Sequence, residues 1–366
     1  MSYQTGQMGV AAGISLIYMI TIPFVFLSTS AQTIEQGAGA AWLIPLVSGV
    51  AGIVMLVAMT YVLSKFPGDL YTVCRKLLGQ VGAWIVALYY VGLFFCDSVL
   101  ILRQFAENTL LTALPNIEFS VVVLLYIAVA AVVIYPGLEG VVRSNYIIMP
   151  FSISALILVV LLLIPSYNYY NLLPWQGTGL EKVIPVGLIF AGAGAGSFAI
   201  IILAPAFQSA QTMRQVAIWG LGLSTILKVV TVLGFSLTFG NEVAREKVLP
   251  FFEMARLVYL SRYIQHIEAL FIILWVVAGV FALAINFYMG LYLITRLLNL
   301  PTMRPLIPIV GIFLAQIAMM PPDITTVLIW DGILISTYFN IGLYGIPTVI
   351  IAAASFKQKK GRGTKC

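Results

Sequence analysis

Chemistry has few places to occur in this chain. Asp97, Lys228 and Asp331 are ionisable residues set inside long apolar runs, and Asn286 is a polar residue placed as deeply. A charged side chain in hydrocarbon is costly and marks a ligand or ion path more often than not. Asp97 and Lys228 are expected to pair in the interior, one of them carrying the charge that reads a ligand or a proton. The competing reading of Lys228 is snorkelling or a structural ion pair. Asn286 either bonds between helices or lines a cavity. Arg103 and Glu107, at i,i+4 spacing, read as a structural pair. His266, the single histidine, reads as an interfacial residue, with pH sensing as the other possibility.

The main chain is the second source of chemistry. In "IFAGAGAGSFAIIILAP", residues 189–205, Gly192, Gly194 and Gly196 alternate with alanine. Each glycine costs a helix about 1 kcal/mol relative to alanine, so this run should loosen. In "IYMITIPFVFLSTS", residues 17–30, Pro23 removes a backbone donor and disfavours helical geometry at Ile22. A break is expected over Ile20–Pro23, with Thr21 satisfying a freed backbone group. Broken helices expose N–H groups that favour an anion and carbonyls that favour a cation. A small zwitterion such as an amino acid would match both, approaching the backbone at the glycines and meeting the Ser197 hydroxyl. Close helix packing at the small residues, and a simple proline kink, are the competing readings.

These residues need elements to hold them. Of 366 residues, 61% are hydrophobic and 9% charged, with mean hydropathy +1.05. Continuous apolar runs of about 20 residues fit membrane-crossing helices. Ten are read: 9–34, 41–63, 82–105, 119–136, 145–165, 183–206, 216–239, 265–292, 305–320 and 329–355. The proline-broken span is the first and the glycine-loosened span the sixth. Five spans per half invert the second half (183–355) relative to the first (9–165), and interrupted spans at matching positions point to a binding site. The chain is one transmembrane domain, 1–366, ending in a basic tail, 356–366. Most lysines and arginines fall in loops on one side, which places both termini in the cytoplasm. The outer loops hold only Lys182, Arg245, Lys247, Arg256 and Arg262.

"LPFFEMARLVYL", residues 249–260, is expected as an amphipathic helix lying on the outer face, with Phe252, Leu257 and Leu260 apolar. Trp42, Trp84 and Trp175 fit an aromatic belt beside membrane lipid. The first residues lack the basic region of a cleaved signal peptide. Cys74, Cys96 and Cys366 fit no disulfide or metal spacing. The net charge of +6 sits at span ends and in the tail, so no nucleic-acid partner is expected. No phosphate loop, metal cluster or nucleophile elbow is present, so no enzyme and no cofactor are expected.

The chain resembles the B-subunit permeases of spore germinant receptors, within the amino acid–polyamine–organocation superfamily. The resemblance rests on "LSKFPG" (63–68), "LRQFAENTLLTALP" (102–115), "NLLP" (171–174) and "FFEMARLVYLSRYIQHIEALF" (251–271), in that order along most of the chain. It implies an all-α, LeuT-like fold of ten helices in two inverted five-helix repeats, with helices one and six broken. It implies a place in the inner membrane of a bacterial endospore, and a complex with an A subunit and a lipoprotein C subunit. The implied function is binding of a nutrient germinant that triggers germination. The pocket would be walled by Tyr18–Phe24, including Ile20, Thr21, Ile22 and Pro23, and by Ala191–Phe198, including Gly192, Gly194, Gly196, Ser197 and Phe198. Asp97 and Asn286 would close it. A secondary amino acid transporter working by alternating access is the alternative. A channel is a weaker one, because spans two, four and five look too apolar to line a pore.

Overall fold

A computed structural model describes residues 8–27, 29–193, 196–258 and 267–363, and the chain there is helical almost throughout. Its described residues form no β-strand, only an isolated bridge between Met8 and Phe207. The first span consists of α1 (Val10–Thr21), α2 (Pro23–Phe26) and α3 (Thr29–Gly37). Four continuous helices follow: α4 (Leu43–Lys65), α5 (Leu70–Thr112), α6 (Phe119–Ile134) and α7 (Leu138–Leu162). The sixth span is split into α8 (Leu180–Phe190), a tight turn at Ala191–Ala193, and α9 (Gly196–Ile202). Then come α10 (Ala210–Ala244), the short α11 (Pro250–Arg256), α12 (Ile267–Leu297) and α13 (Leu306–Ala318). The last span runs from α14 (Ile324–Ile333) through π-helical turns at Leu334–Phe339 and Ile341–Gly345 into α15 (Ile346–Gly363).

All ten expected spans are present, and two of them are interrupted. Among the described residues, six helices are long and apolar enough, by length and composition alone, to cross a membrane. Of the others, α6 and α13 are unbroken but shorter, and the first and sixth spans are interrupted. The most apolar stretches of α5 and α12 are 67% and 72% buried, against 28% for α4 and α7. So α5 and α12 form the centre of the bundle, packed on each other, while α4 and α7 turn most of their surface outward. Phe105 of α5 stacks on Trp275 of α12 at 5.3 Å between ring centroids.

The element boundaries depart from expectation where glycine or a cap sets them. α5 starts at Leu70, ahead of the expected span, but Gly79 at φ 81° is non-helical and kinks it, so the stretch after the kink starts close to the expected 82. Gly240 does the same near the end of α10, at φ 71°. Asp69 starts α5 by accepting the Thr72 N–H at 2.9 Å. Its other oxygen meets Arg296 Nε at 2.9 Å, which ties the start of α5 to the end of α12. The "LSKFPG" stretch therefore leads directly into an interhelical clamp.

The short helix in the seventh connection lies within its expected bounds, 249–260, and is shorter. α11 covers Pro250–Arg256, and it buries Phe251, Met254 and Ala255, whereas Leu257 is exposed. Leu260 lies outside the described residues. The Phe251 ring sits 5.5 Å from Phe26 and 4.7 Å from Phe271. α11 is thus docked on α2 and α12 by its aromatic face.

Candidate functional site

The first break lies further along than Pro23 alone suggests. Ile22 keeps right-handed helical torsions, and its N–H still reaches the Tyr18 carbonyl at 2.9 Å. Proline at the first position of a helix has a compatible φ and needs no donor there, so α1 passes into α2 with a hitch. The chain becomes extended at Leu27, with ψ 179°, before α3 starts at Thr29. Thr21 Oγ1 does not serve the Met19 carbonyl that Pro23 deprives of its partner. It lies 2.7 Å from the Ile17 carbonyl and 2.8 Å from Ser224 Oγ, which joins α1 to α10.

The second break is where the glycine run placed it. The turn 191–193 follows α8 directly, and α9 begins at Gly196. Gly194 lies outside the described residues. Gly192 makes a close contact and opens no space: a Cβ there would sit 2.7 Å from Phe339 Cβ and 2.9 Å from the Phe339 main chain. The carbonyls released at the end of α8 are already taken. Ser48 donates to Phe190 O at 3.1 Å, Asn340 to Ile189 O at 2.7 Å, and Tyr344 to Leu188 O at 3.2 Å. The expectation that these carbonyls await a ligand cation is corrected accordingly: side chains of α4 and of the last span cap them.

The other expected wall residues are packed tightly. Tyr18, Ile20, Thr21, Ile22, Pro23, Ser197 and Phe198 are all buried. Tyr18 OH lies 2.9 Å from Ser152 Oγ of α7. The Phe198 ring fills the space between α5 and the last span, 5.3 Å from Tyr90 and 6.2 Å from Phe339.

Beside the breaks is a small chamber of about 40 Å³. Lys228 of α10 lines it, with Thr29, Ser30 and Thr33 of α3, Ser48 of α4, and Phe190 at the end of α8. Thr29 Oγ1 is buried without a hydrogen-bond partner. Of the site residues singled out from sequence, only Lys228 lines this chamber. The hydroxyls were missed, although "STSAQT" puts Ser30 and Thr33 within one turn of each other just after the proline. Ser30, Thr33 and Ser48 already donate to the Val25, Thr29 and Phe190 carbonyls, so the Lys228 cation and the Thr29 hydroxyl are the groups that suit a carboxylate.

Asp97 and Lys228 do not form the expected pair. Asp97 Oδ2 accepts from Asn286 Nδ2 at 2.7 Å, across the α5–α12 contact. The reason is register: Asp97 faces the central partner of its own helix, and α10 packs instead on α1 and α4. Arg103 and Glu107 do pair, at 3.0 Å. His266 lies outside the described residues.

A helical bundle with its first and sixth spans broken can now be compared with known proteins. The sequence profile of a family described as spore germination protein matches residues 8–327. The chain belongs to that spore permease family. It is 28% identical over 179 residues to spore germination protein XB of Bacillus anthracis, and the match covers 49% of each chain. The matched region thus spans about half the length of that curated relative.

Among solved structures, the fold is similar to MhsT in complex with L-phenylalanine, with TM-score 0.68, 13% identity, and coverage of 96% of this chain and 99% of that one. It is similar to a Na+-coupled sialic acid symporter in a substrate-bound outward-open state, with TM-score 0.66, 12% identity, and coverage of 93% and 80%. It is also similar to Mhp1, a nucleobase-cation-symport-1 family transporter, with TM-score 0.66, 14% identity, and coverage of 92% and 79%. At these identities the likeness establishes the fold: this spore permease family member is an integral membrane protein with a LeuT-like arrangement of helices.

Proposed function

We propose that this chain is the nutrient-binding membrane subunit of a spore germination receptor. Its ligand would be a small zwitterion, an amino acid, held beside the two breaks. The observation that carries the reading is the chamber joining α3, α4, α8 and α10, in which Lys228 and the Thr29, Ser30, Thr33 and Ser48 hydroxyls converge. A ligand carboxylate would take Lys228 and the Thr29 hydroxyl. The family supports the link to germination, and the bound L-phenylalanine of MhsT supports an amino acid as a fit for this fold. Residence in the spore inner membrane with cytoplasmic termini, and assembly with an A subunit and a lipoprotein C subunit, follow from the same reading. Binding would act by favouring one of two conformations, which requires different affinity for each.

The test is thermal stability of the purified chain in detergent against a panel of amino acids, sugars and nucleosides. A ligand at 100 times its dissociation constant stabilises the fold by about 2.7 kcal/mol. A selective amino-acid shift that Lys228→Met abolishes is expected. Lack of a shift with every amino acid, with or without the partner subunits, would overturn the reading. The transporter folds it resembles favour a second reading, alternating-access uptake. Saturable uptake of the same ligand by the lone chain in vesicles would decide for that.

A further inference from the structure

A second cavity lies at the end of the bundle where α6 stops, α7 starts, α12 stops and α13 starts. It holds about 470 Å³, within the roughly 300–1,000 Å³ of small-molecule sites. Tyr135 and Gly137 belong to one wall, Tyr292 and Arg296 of α12 to a second, and Thr302 and Arg304 to a third. Local sequence fixes these walls. Gly137 takes φ 92° and turns the chain from α6 into α7, its N–H returning to the Ile134 carbonyl at 2.9 Å. Asn299 takes φ 53°, a left-handed conformation that asparagine tolerates better than most residues. The Leu300 N–H then closes the end of α12 on the Thr295 carbonyl at 2.9 Å. The chain swings back so that the Arg304 guanidinium lies over the Tyr135 ring, 5.2 Å from its centroid.

Two guanidiniums thus line one space. Arg296 meets Asp69 at 2.9 Å and Tyr292 OH at 3.3 Å. Both contacts use Nε, which leaves its two Nη groups for another acceptor. Arg304 is exposed and, among the described residues, belongs to no ion pair. The carboxylates of this end are already engaged. Asp69 caps α5 and holds Arg296, and Glu139 of α7 pairs with Arg143. The cavity therefore carries surplus positive charge and offers no open carboxylate to an ammonium, which favours a simple anion over a zwitterion. Guanidinium forks match phosphate oxygens in a way that a point charge does not. Thr302 adds a donor: its Oγ1 accepts the Arg304 main-chain N–H at 3.3 Å, and its own O–H is left to give.

The flank of the cavity indicates where the anion comes from. Leu125, Val129, Val132 and Tyr135 are exposed along α6 at helical spacing, and Ile309 and Ile312 are exposed on α13, which packs beside α6. The α6 stripe reaches the cavity at Tyr135, and the α13 stripe starts little more than a turn beyond Arg304. An anion that carries acyl chains meets both the arginines and the stripes, whereas inorganic phosphate meets the arginines alone.

We propose that this cavity binds the phosphate headgroup of an anionic phospholipid, with Arg304 and Arg296 on the phosphate and the acyl chains along α6 and α13. Basic pockets between membrane helices suit such headgroups. The assignment needs only a position at a span end. It stands on either side of the membrane, and whether or not the Lys228 chamber binds a nutrient.

The experiment is thermal unfolding of the full-length chain in a non-ionic detergent at constant ionic strength. Phosphatidylglycerol is added to the micelles, with phosphatidylcholine as the net-neutral comparison and inorganic phosphate as the soluble one. The expected result is a saturable rise in the unfolding midpoint with phosphatidylglycerol and no comparable rise with the other two. Arg304→Gln should raise the half-saturating lipid fraction at least about fivefold, a factor worth about 1 kcal/mol. Arg304 is exposed, so without lipid this variant should unfold at the parent's midpoint. Arg304→Lys keeps the charge and loses the fork, and should fall between the two. Arg75→Gln, at another exposed arginine of the same end, should leave the response intact. Equal losses in Arg75→Gln and Arg304→Gln would overturn the site in favour of diffuse attraction to a basic surface. Equal midpoints with the two lipids would overturn the selection for an anion. The full rise with inorganic phosphate alone would overturn the lipid assignment. A phosphatidylglycerol response that Arg304→Gln weakens, without any amino-acid shift, would support this site and count against the nutrient chamber only.

Discussion

At the scale of single residues, small and large side chains have opposite tasks at the second break. Phe198 fills the space between α5 and the last span, and Gly192 lets the last span press against the turn. Gly192→Ala should therefore be costly. Its methyl would fall 2.9 Å from the Phe339 main chain, which cannot rotate aside as a side-chain end can. The expected loss is about 1–3 kcal/mol, typical of overpacking, read as a lower midpoint of unfolding in detergent. An unchanged midpoint would mean that the turn and the last span separate easily. The sequence made the depth of Asp97, Lys228 and Asn286 legible, because apolar runs fix depth. It left their partners illegible, because pairing depends on which faces meet. Asp97 has Asn286 for company, and Lys228 a set of hydroxyls on other helices. The packing role of Gly192 was legible only as one of two readings of the glycine run.

At the scale of elements, caps and hitches decide where helices begin. Proline drew attention to residue 23, yet the chain leaves helical geometry at Leu27. Proline is tolerated at a helix start, so it marked the neighbourhood of the break and not its place. The buried face of α11 was misread for a related reason. Phe251 and Phe252 are equally apolar in sequence, and only the docking on Phe26 and Phe271 distinguishes them. The start of α14 offers a test in solution. Asp323 accepts the Thr326 N–H at 2.7 Å, and that bond holds its carboxyl below the usual carboxylate range. A depressed folded value means that the cap contributes above the unfolded pKa and is lost as pH falls through the folded one. Acidification should thus weaken the parent more than Asp323→Ala, with the two midpoint curves converging at low pH. Parallel curves would show that the cap contributes nothing to the acid response.

At the scale of the whole molecule, polar bonds fasten the sixth span to the tenth and the tenth to the third. The matching of spans one and six was legible in the sequence, since a proline and a glycine run are local signals. The fastening of the sixth span to the tenth was not, because it needs a π-helical stretch that no pattern of apolar residues announces. Those turns present Asn340 and Tyr344 to the open end of α8, while Tyr89 and Tyr90 of α5 donate to Tyr338 O and Gly342 O at 2.6 and 2.8 Å. The break in the sixth span is therefore latched to the tenth, and the tenth to the third. A protein that answers a ligand by changing conformation must exchange such bonds as it moves, since packed interfaces switch between discrete arrangements.

Removing the latch should shift that balance. Asn340→Leu with Tyr344→Phe removes the side-chain caps on the Ile189 and Leu188 carbonyls, together with the bonds of Asn340 to Ser336 O and Ile335 O, each bond worth about 1 kcal/mol. Because both act on one helix end, the double variant should differ from the sum of the singles. Amide hydrogen exchange in α8 and α9 is the measurement that reads it. Faster exchange confined to these helices, with α6 and α13 unchanged, is the expected outcome. Uniform acceleration across the bundle would mean that the bonds serve stability alone, and that the sixth span is no independent moving part.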